Sequence, residues 1–211
     1  MRLHSYWRSS AAYRVRIALH WKGLAFETVS THLGKGEQRG ADFLAVNPQG
    51  LVPALEDGAH VLAQSLAIIE YLDETHPAPP LLPRDPVGRA RVRSLALAIA
   101  CDIHPLNNLR VLNYLKGPLG QPQESVDAWY GHWIAEGFRA LERLAAQYGD
   151  GAHLHGPDVT LADVCLVPQL YNARRFGVDL SPFPTLVAIG HALEALPAFA
   201  AARPEAQPDA S

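Results

Sequence analysis

The sequence predicts an α/β domain followed by an all-α domain. Strand-like and helix-like patterns alternate over the first 80 residues, whereas the regular stretches beyond residue 86 all have helical periodicity. Between them, five of the eleven residues at 76–86 are proline, so this segment cannot continue a helix. We therefore expect domains at residues 1–80 and 87–211, joined by a stiff linker at 76–86.

The first strand and the first helix are predicted from a change of period. Residues 2–6 place Leu3 between polar neighbours, which is the alternation of a half-buried strand. The segment after Ser9 has apolar side chains at helical spacing, so a helix is expected to begin at this serine. We interpret Arg14 and Arg16 on that helix as solvated surface charges or as partners of a helix C-terminus.

Shorter patterns define the rest of the first domain. They predict a strand at 25–29, a short irregular helix at 42–46 and a hairpin of strands at 52–56 and 60–62. Asp57-Gly58 is the turn signal of the hairpin, and Ser65 is expected to be the N-cap of the helix that follows it. The resulting order, β-α-β-α-β-β-α, is that of a thioredoxin-like domain.

The second domain is predicted to consist of helices at 87–115, 126–148, 161–175, 185–193 and 198–202. Thr160 and Asp163 form a variant of the capping box ahead of the third of these helices. Pro105 is expected to kink the first one. Residues 204–211 are expected to form a frayed polar tail.

Composition excludes several classes of protein. The 211 residues are 48% apolar and 18% charged, which is typical of a globular protein, and the net charge of −3 argues against a nucleic-acid partner. No apolar stretch approaches the roughly 20 residues of a membrane span, and the N-terminus lacks the apolar core of an export signal. Cys101 and Cys165 have no metal-like spacing. We expect a cytoplasmic protein without a metal or a membrane partner.

Ser9 and Ser10 are the first candidates for function. A helix N-terminus has unpaired N–H groups and a positive dipole end, so it favours anions, and a serine hydroxyl placed there can face a bound anion. A serine that simply caps its helix would account for the same pattern.

The two-part organisation resembles the cytosolic glutathione transferase family over essentially the whole chain. Val52-Pro53 resembles the cis-proline element of the family, whose backbone pairs with the cysteinyl part of glutathione. Gln64-Ser65 resembles the motif that binds the γ-glutamyl carboxylate. An ordinary turn at Pro53 and a helix cap at Ser65 are the structural alternatives.

Residues 8–19 resemble the signature of the zeta class, which is Ser-Ser-Cys, any residue, then Trp-Arg-Val-Arg-Ile-Ala-Leu. The chain departs from it at Ala11, where the class has Cys, and at Tyr13, where it has Trp. Further zeta-like stretches lie at residues 47–53, 64–72, 166–169, 172–176 and 207–209. The class is known as maleylacetoacetate isomerase, and close bacterial relatives isomerise maleylpyruvate.

The resemblance implies a glutathione-dependent cis–trans isomerase of small enediketo acids. In such a reaction the glutathione thiolate adds to the double bond, the resulting single bond rotates, and the thiolate leaves. The family match makes Ser9 the donor to the thiolate, Ser10 its assistant and Arg8 a cation beside them. Glutathione is regenerated and therefore acts as a cofactor.

The resemblance also assigns binding roles. Expected contacts to glutathione come from Ser9, Val52, Pro53, Gln64, Ser65 and Asn107. The polar cluster around Pro105 adds His104 and Asn108, with a purely structural role as the alternative for His104. Asn107 stands where the family carries a glutamine that touches glutathione. Arg8 and Arg175 are expected to bind the carboxylates of the acid substrate, with Arg110 as a further candidate. His104 and Asn108 are expected one turn apart on one helix face, and Arg174 is interpreted as a surface charge.

Two other functions remain open at this point. One is a zeta-like transferase that acts on α-halo acids or other electrophiles, since it needs the same thiolate site and the same cations. The other is a non-catalytic interaction module, although such a module has no need of Arg8, Ser9 and Gln64-Ser65. The family resemblance also predicts a homodimer.

Overall fold

The structure is a computed structural model that describes residues 1–210. Its strands are β1 Arg2–Ser5, β2 Glu27–Ser30, β3 Ala54–Asp57 and β4 His60–Ala63, and its helices are α1 Ser10–Trp21, α2 Ala41–Val46, α3 Ser65–Thr75, α4 Pro86–Leu97, α5 Leu109–Lys116, α6 Gln123–Tyr148, α7 Leu161–Arg175, α8 Pro184–Glu194 and α9 Pro197–Ala202. The chain divides into two compact units. The first is Met1–Pro80 together with the chain from Ala195 onward, and the second is Leu81–Glu194.

The first unit is built on a four-stranded sheet in the order β2-β1-β3-β4. β1 runs parallel to β2, with Leu3 opposite Thr28, whereas β1–β3 and β3–β4 are antiparallel. The parallel pair requires a crossover, which α1 provides. This topology confirms the predicted thioredoxin-like domain.

Helix α1 is buried along almost its whole length, because α3 and α9 both pack against it. Arg14 and Arg16 are 1% and 0% exposed, so neither is a solvated surface charge, whereas the contact of Arg16 with the last residue of α9 matches the alternative of a partner at a helix C-terminus. A buried guanidinium needs acceptors for its N–H groups. Arg16 finds them in the carbonyl oxygens of Ala202, Tyr6 and Trp7 and in the hydroxyl of Ser5.

The end of α1 is anchored to the last turn of α3 and to the segment that follows it. Lys22 lies just after α1 with its side chain fully buried, and its Nζ donates to the carboxylate of Asp73 at 2.8 Å. The same ammonium donates to the carbonyl oxygens of His76 and Pro79. Three acceptors match the three N–H donors of a lysine, so this buried charge is compensated.

Of the tail that was expected to fray, residues 204–210 are an ordered part of the first unit, and residue 211 lies outside the described residues. Gln207 is buried, and its Nε2 donates to the carbonyl oxygens of Ala201 and Arg203 at the end of α9. Asp209 accepts hydrogen bonds from other segments of the unit. The prediction of fraying is therefore wrong, because these polar side chains find partners that local composition does not reveal. The domain boundaries at residues 80 and 87 stay a proposal.

The second unit departs from prediction where a single helix was expected at 87–115. Helix α4 ends at Leu97 and continues as a π-helical segment, Ala98–Ile103, and a 3₁₀ turn, His104–Asn107. Pro105 has no N–H for a helical bond, and Asn108 is extended and caps α5. His104 and Asn108 therefore do not share a helix face, contrary to the prediction.

The predicted bounds of α7 are confirmed. Its capping box forms, with the Asp163 carboxylate accepting from the backbone N–H and the hydroxyl of Thr160. The same carboxylate also accepts from the N–H of Leu154. Burial nevertheless raises the pKa of Asp163, although these hydrogen bonds act in the opposite direction.

Candidate active site

Ser9 is the N-cap of α1. Its backbone is extended, and its Oγ accepts a hydrogen bond of 3.2 Å from the N–H of Ala12. The side chain is half-buried, and the first turn of α1 contains no acidic residue. A serine hydroxyl has one donor and two acceptor positions. Ser9 can therefore cap the helix and still donate a hydrogen bond to a bound anion. The interpretation as a helix cap and the interpretation as an anion-binding residue are thus compatible.

Arg8 and Ser10 flank Ser9 in different environments. Ser10 is buried as the first residue of α1, whereas Arg8 is exposed. The guanidinium carbon of Arg8 lies 4.0 Å from the ring centroid of Trp7, which is itself buried. A cation–π contact does not use the N–H groups of the guanidinium as hydrogen-bond donors, so those of the exposed Arg8 can still pair with an acid.

The second candidate site for an anion is the start of α3. Gln64, rather than the predicted Ser65, is the N-cap, and Ser65 is the buried first residue of the helix. Within residues 1–210, Gln64 is the only residue other than glycine with a positive φ, at 70°. Its Nε2 donates to Oε1 of Gln49 at 2.9 Å. Strained backbone of this kind is concentrated at ligand-binding sites.

A residue that the sequence interpretation dismissed also reaches this helix start. Nη1 of Arg14 lies 3.3 Å from the hydroxyl oxygen of Ser65. The contact places a buried positive charge beside the N-terminus of α3. The contact could not have been read from the sequence, since 51 residues separate Arg14 from Ser65.

Val52 and Pro53 lie immediately before β3, and both are buried. The peptide bond between them is cis. Their predicted contact with the cysteinyl part of glutathione stays a prediction.

In the second unit, Arg175 belongs to an aromatic cluster. Its guanidinium carbon lies 4.6 Å from the ring centroid of Phe176, and the Phe176 ring stacks on that of Tyr130 with centroids 3.7 Å apart. Burial raises the pKa of Tyr130 to about 12, although the neighbouring Arg175 lowers it. Tyr130 therefore keeps its proton at neutral pH. No signal in the sequence points to Tyr130, because its spacing on α6 is that of an ordinary core aromatic.

The remaining predicted residues lie around the 3₁₀ turn and the start of α5. Asn107 is buried and donates from Nδ2 to the carbonyl oxygen of Tyr130 at 3.1 Å, so it reaches the same aromatic cluster as Arg175. Asn108 caps α5 by accepting from the N–H of Arg110. Arg110 is exposed and His104 is half-buried. Arg174, interpreted as a surface charge, is exposed and paired with Glu194.

Over residues 1–210 no group of three or more His, Cys, Asp or Glu side chains is arranged to hold a metal ion. No helix in the same part of the chain has both the length and the hydropathy needed to cross a membrane.

A thioredoxin-like unit, in which serine stands at or next to the N-cap of α1 and of α3, is followed by a unit made of helices. The family model of the glutathione S-transferase N-terminal domain matches residues 3–80, and that of the C-terminal domain matches residues 127–202. The chain belongs to the glutathione S-transferase family.

Individual relatives narrow the class. A protein named probable maleylacetoacetate isomerase, from Vibrio cholerae, is 55% identical over 210 residues, covering 99% of this chain and 97% of the relative. A holo structure of maleylpyruvate isomerase, described as a bacterial zeta-class glutathione S-transferase, matches with a TM-score of 0.98 and 50% identity over both whole chains. Maleylacetoacetate isomerase from Methylobacterium extorquens, with bound malonate and glutathione, matches with a TM-score of 0.96 and 44% identity over both whole chains. Within the family the chain groups with the zeta class, which confirms the resemblance of residues 8–19.

Proposed function

We propose that this protein is a glutathione-dependent cis–trans isomerase that converts maleylacetoacetate or maleylpyruvate into the fumaryl isomer. The main support for the proposal is the position of Ser9. It caps α1 and still has a hydroxyl proton to donate at the positive end of the helix. Similarity to the isomerases of the zeta class supports the same activity.

The residues of the first unit fit glutathione, which is an anionic tripeptide. The start of α3 offers backbone N–H groups and the Ser65 hydroxyl to a carboxylate, and the buried guanidinium of Arg14 lies beside that hydroxyl. Ser9 offers a separate donor at the start of α1. Glutathione needs both kinds of partner, one for its γ-glutamyl carboxylate and one for its sulfur.

Bound glutathione supplies the thiolate whose addition and departure permit rotation about the former double bond. A free thiol has a pKa of about 8.5, so the protein has to favour its ionised form at neutral pH. Ser9 does so by donating a hydrogen bond toward the sulfur, and the N-terminus of α1 adds positive potential. Arg8 and Arg175 bind the carboxylates of the acid and stabilise the negative charge that develops on its oxygens.

The test is a steady-state assay of both acids, maleylacetoacetate and maleylpyruvate, with and without reduced glutathione. The proposal predicts turnover of at least one acid that depends on glutathione. Folded protein that turns over neither acid would refute it. Displacement of halide from an α-halo acid, without isomerisation of either diketo acid, would favour the transferase alternative.

We also propose that the protein is a homodimer. Exposed apolar side chains support this: Val61 on β4 is 50% exposed, Val87 and Leu97 on α4 are 59% and 44% exposed, and a monomer would leave them in water. Light scattering at assay concentration should give twice the mass of the chain, and Val61→Lys should lower it. A stable monomer in the unmodified protein would contradict the proposal. The cytoplasmic location stays a prediction.

A further inference from the structure

The loop that carries Arg8 and Ser9 is short and has few bonds of its own. It spans residues 6–9, between the end of β1 and the start of α1. Its internal backbone bond runs from the N–H of Ser9 to the carbonyl oxygen of Tyr6, at 2.9 Å. The positions of the Arg8 and Ser9 side chains therefore depend on what holds the backbone between Tyr6 and Ser9.

The backbone of Trp7 is held by one charged group at its N–H and by another at its carbonyl oxygen. Its N–H donates to Oδ2 of Asp209 at 3.1 Å, and its carbonyl oxygen accepts from Nη2 of Arg16 at 3.0 Å. Hydrogen bonds to ionised partners are stronger than those between neutral groups. The Arg8 guanidinium packs on the ring of Trp7. These bonds therefore hold the residue against which Arg8 packs, as well as the backbone that leads into Ser9.

Both charged groups are themselves tied to the C-terminal end of the chain. Arg16 donates from Nε to the carbonyl oxygen of Ala202, the last residue of α9. Asp209 follows Gln207, whose amide bonds to the carbonyls at the end of α9 hold this segment in place. Asp209 also accepts from the hydroxyl of Ser30 at 3.2 Å.

The surroundings of the Asp209 carboxylate are partly unfavourable to the stability of the fold. Its Oδ1 is buried and has no hydrogen-bond partner among the described residues. Burying an unpaired polar atom costs free energy. The Asp209 carboxylate nevertheless provides a strong, charged acceptor for the N–H of Trp7, which favours a role beyond stability.

We propose that Asp209 and Arg16 are positioning residues that hold the Trp7 backbone and thereby set the Ser9 hydroxyl and the Arg8 guanidinium for reaction. The proposal rests on the role of Ser9 proposed above. It gives the zeta-like ending at residues 207–209 a function in the active site, although those residues lie about 200 positions from Ser9 along the chain.

The test compares Asp209→Ala with Asp209→Asn, and uses Asp158→Ala as a matched loss of one exposed carboxylate. Three quantities are measured: amide hydrogen exchange at residues 6–12, the pKa of the thiol of bound glutathione from thiolate absorbance, and kcat/KM. Asp209→Ala should speed exchange at the Trp7 amide, raise the thiol pKa and lower kcat/KM about tenfold, because small displacements of reacting groups have effects of this size or larger. Asp209→Asn should recover part of the loss, since its amide oxygen still accepts from Trp7. Asp158→Ala should match the unmodified protein.

A second variant, Arg16→Lys, tests the hydrogen bond to the carbonyl oxygen of Trp7. Lysine keeps the charge but lacks the planar fork that reaches several acceptors at once, so it should also raise the thiol pKa. If Asp209→Ala lowers only the melting temperature and leaves the thiol pKa and kcat/KM unchanged, the residue is merely structural and the proposal is overturned. If the unmodified protein lacks glutathione-dependent turnover, the proposed function fails. The exchange measurement then still decides whether Asp209 holds the loop.

Discussion

Arg14 donates a hydrogen bond from Nη1 to the hydroxyl oxygen of Ser65 at 3.3 Å, although 51 residues separate the two in the chain. Arg14 lies in α1, which Ser9 caps, and Ser65 begins α3. The bond therefore connects the helix proposed to activate the thiol with the helix proposed to bind the γ-glutamyl carboxylate. Because Arg14 is buried, solvent screens its charge only weakly.

Ser65→Ala should therefore weaken glutathione binding. We expect the KM for glutathione to rise about tenfold, the effect of losing a hydrogen bond to a charged group, while kcat at saturating glutathione is largely retained. Arg14→Lys should raise the same KM, since lysine cannot reproduce the guanidinium geometry. Arg174→Met, at an exposed arginine on α7, is the control. An unchanged KM in both Ser65→Ala and Arg14→Lys would contradict the assignment.

Ser9→Ala should damage turnover far more than Ser10→Ala. Ser9 is proposed to donate to a thiolate, and losing a hydrogen bond to a charged acceptor costs about 1.5–3 kcal/mol, or roughly tenfold to a hundredfold in rate. The two variants are compared by kcat/KM and by the thiolate absorbance of bound glutathione. Ser9→Ala should also lower the melting temperature, because it removes the N-cap of α1. Equal losses of turnover would overturn the assignment.

Arg8→Met and Arg175→Met should impair turnover of the acid while changing glutathione affinity little. Each variant removes a proposed partner of a substrate carboxylate, and an unpaired carboxylate is strongly unfavourable in a binding site. We expect a higher KM for the acid, a lower kcat, or both. A neutral electrophile should be affected much less, since it has no carboxylate to pair. An arginine whose loss weakens glutathione binding equally belongs to the glutathione site instead.

Activity should persist although Ala11 replaces the cysteine of the zeta signature. The nucleophile belongs to glutathione, and Ser9 is proposed to activate it, so the reaction does not require a protein thiol at position 11. Alkylation with iodoacetamide followed by mass spectrometry should modify the exposed Cys101 and spare the buried Cys165. The expected result is unchanged turnover after Cys101→Ser and resistance to alkylating inactivation. Loss of activity in that variant would show that a protein thiol takes part.

Glu56 should make the stability of the first unit depend on pH below neutrality. Its Oε1 lies 2.5 Å from Nε2 of His4, and this hydrogen bond is the main reason that its pKa is below the usual 4.5, with Arg2 acting in the same direction. A carboxyl with a lowered pKa stabilises the fold when ionised. The contribution is therefore complete above pH 4.5 and is lost as the pH falls through the lowered value.

Thermal unfolding between pH 3 and pH 7 tests this expectation with Glu56→Gln. The variant should melt at a lower temperature than the unmodified protein at pH 6, and the difference should shrink on acidification. Glu124→Gln, at an exposed position on α6, serves as the control. A difference that is the same at every pH would show that ionisation of Glu56 is not responsible.

Much of the fold could be predicted because its elements are marked locally. The bounds of α7 follow from an apolar run preceded by Thr160 and Asp163, which form the capping box within four residues of each other. The start of α1 follows from Ser9 in the same way. The break between α4 and α5 was underestimated, since Pro105 predicts a kink but not the π-helical segment and 3₁₀ turn around it.

Local sequence patterns were enough to predict the thioredoxin-like order, the helical second half, the zeta-class signature and Ser9 as the first candidate for catalysis. These features depend on residues that are close together in the chain. It is the three-dimensional packing that buries Arg14 and Arg16 in the first unit and brings Asp209 to the N–H of Trp7. Whether a charged side chain is buried depends on the acceptors and donors that surround it. Here those groups come from Ser65, Ala202 and Trp7, each brought near by packing across more than one element of the fold.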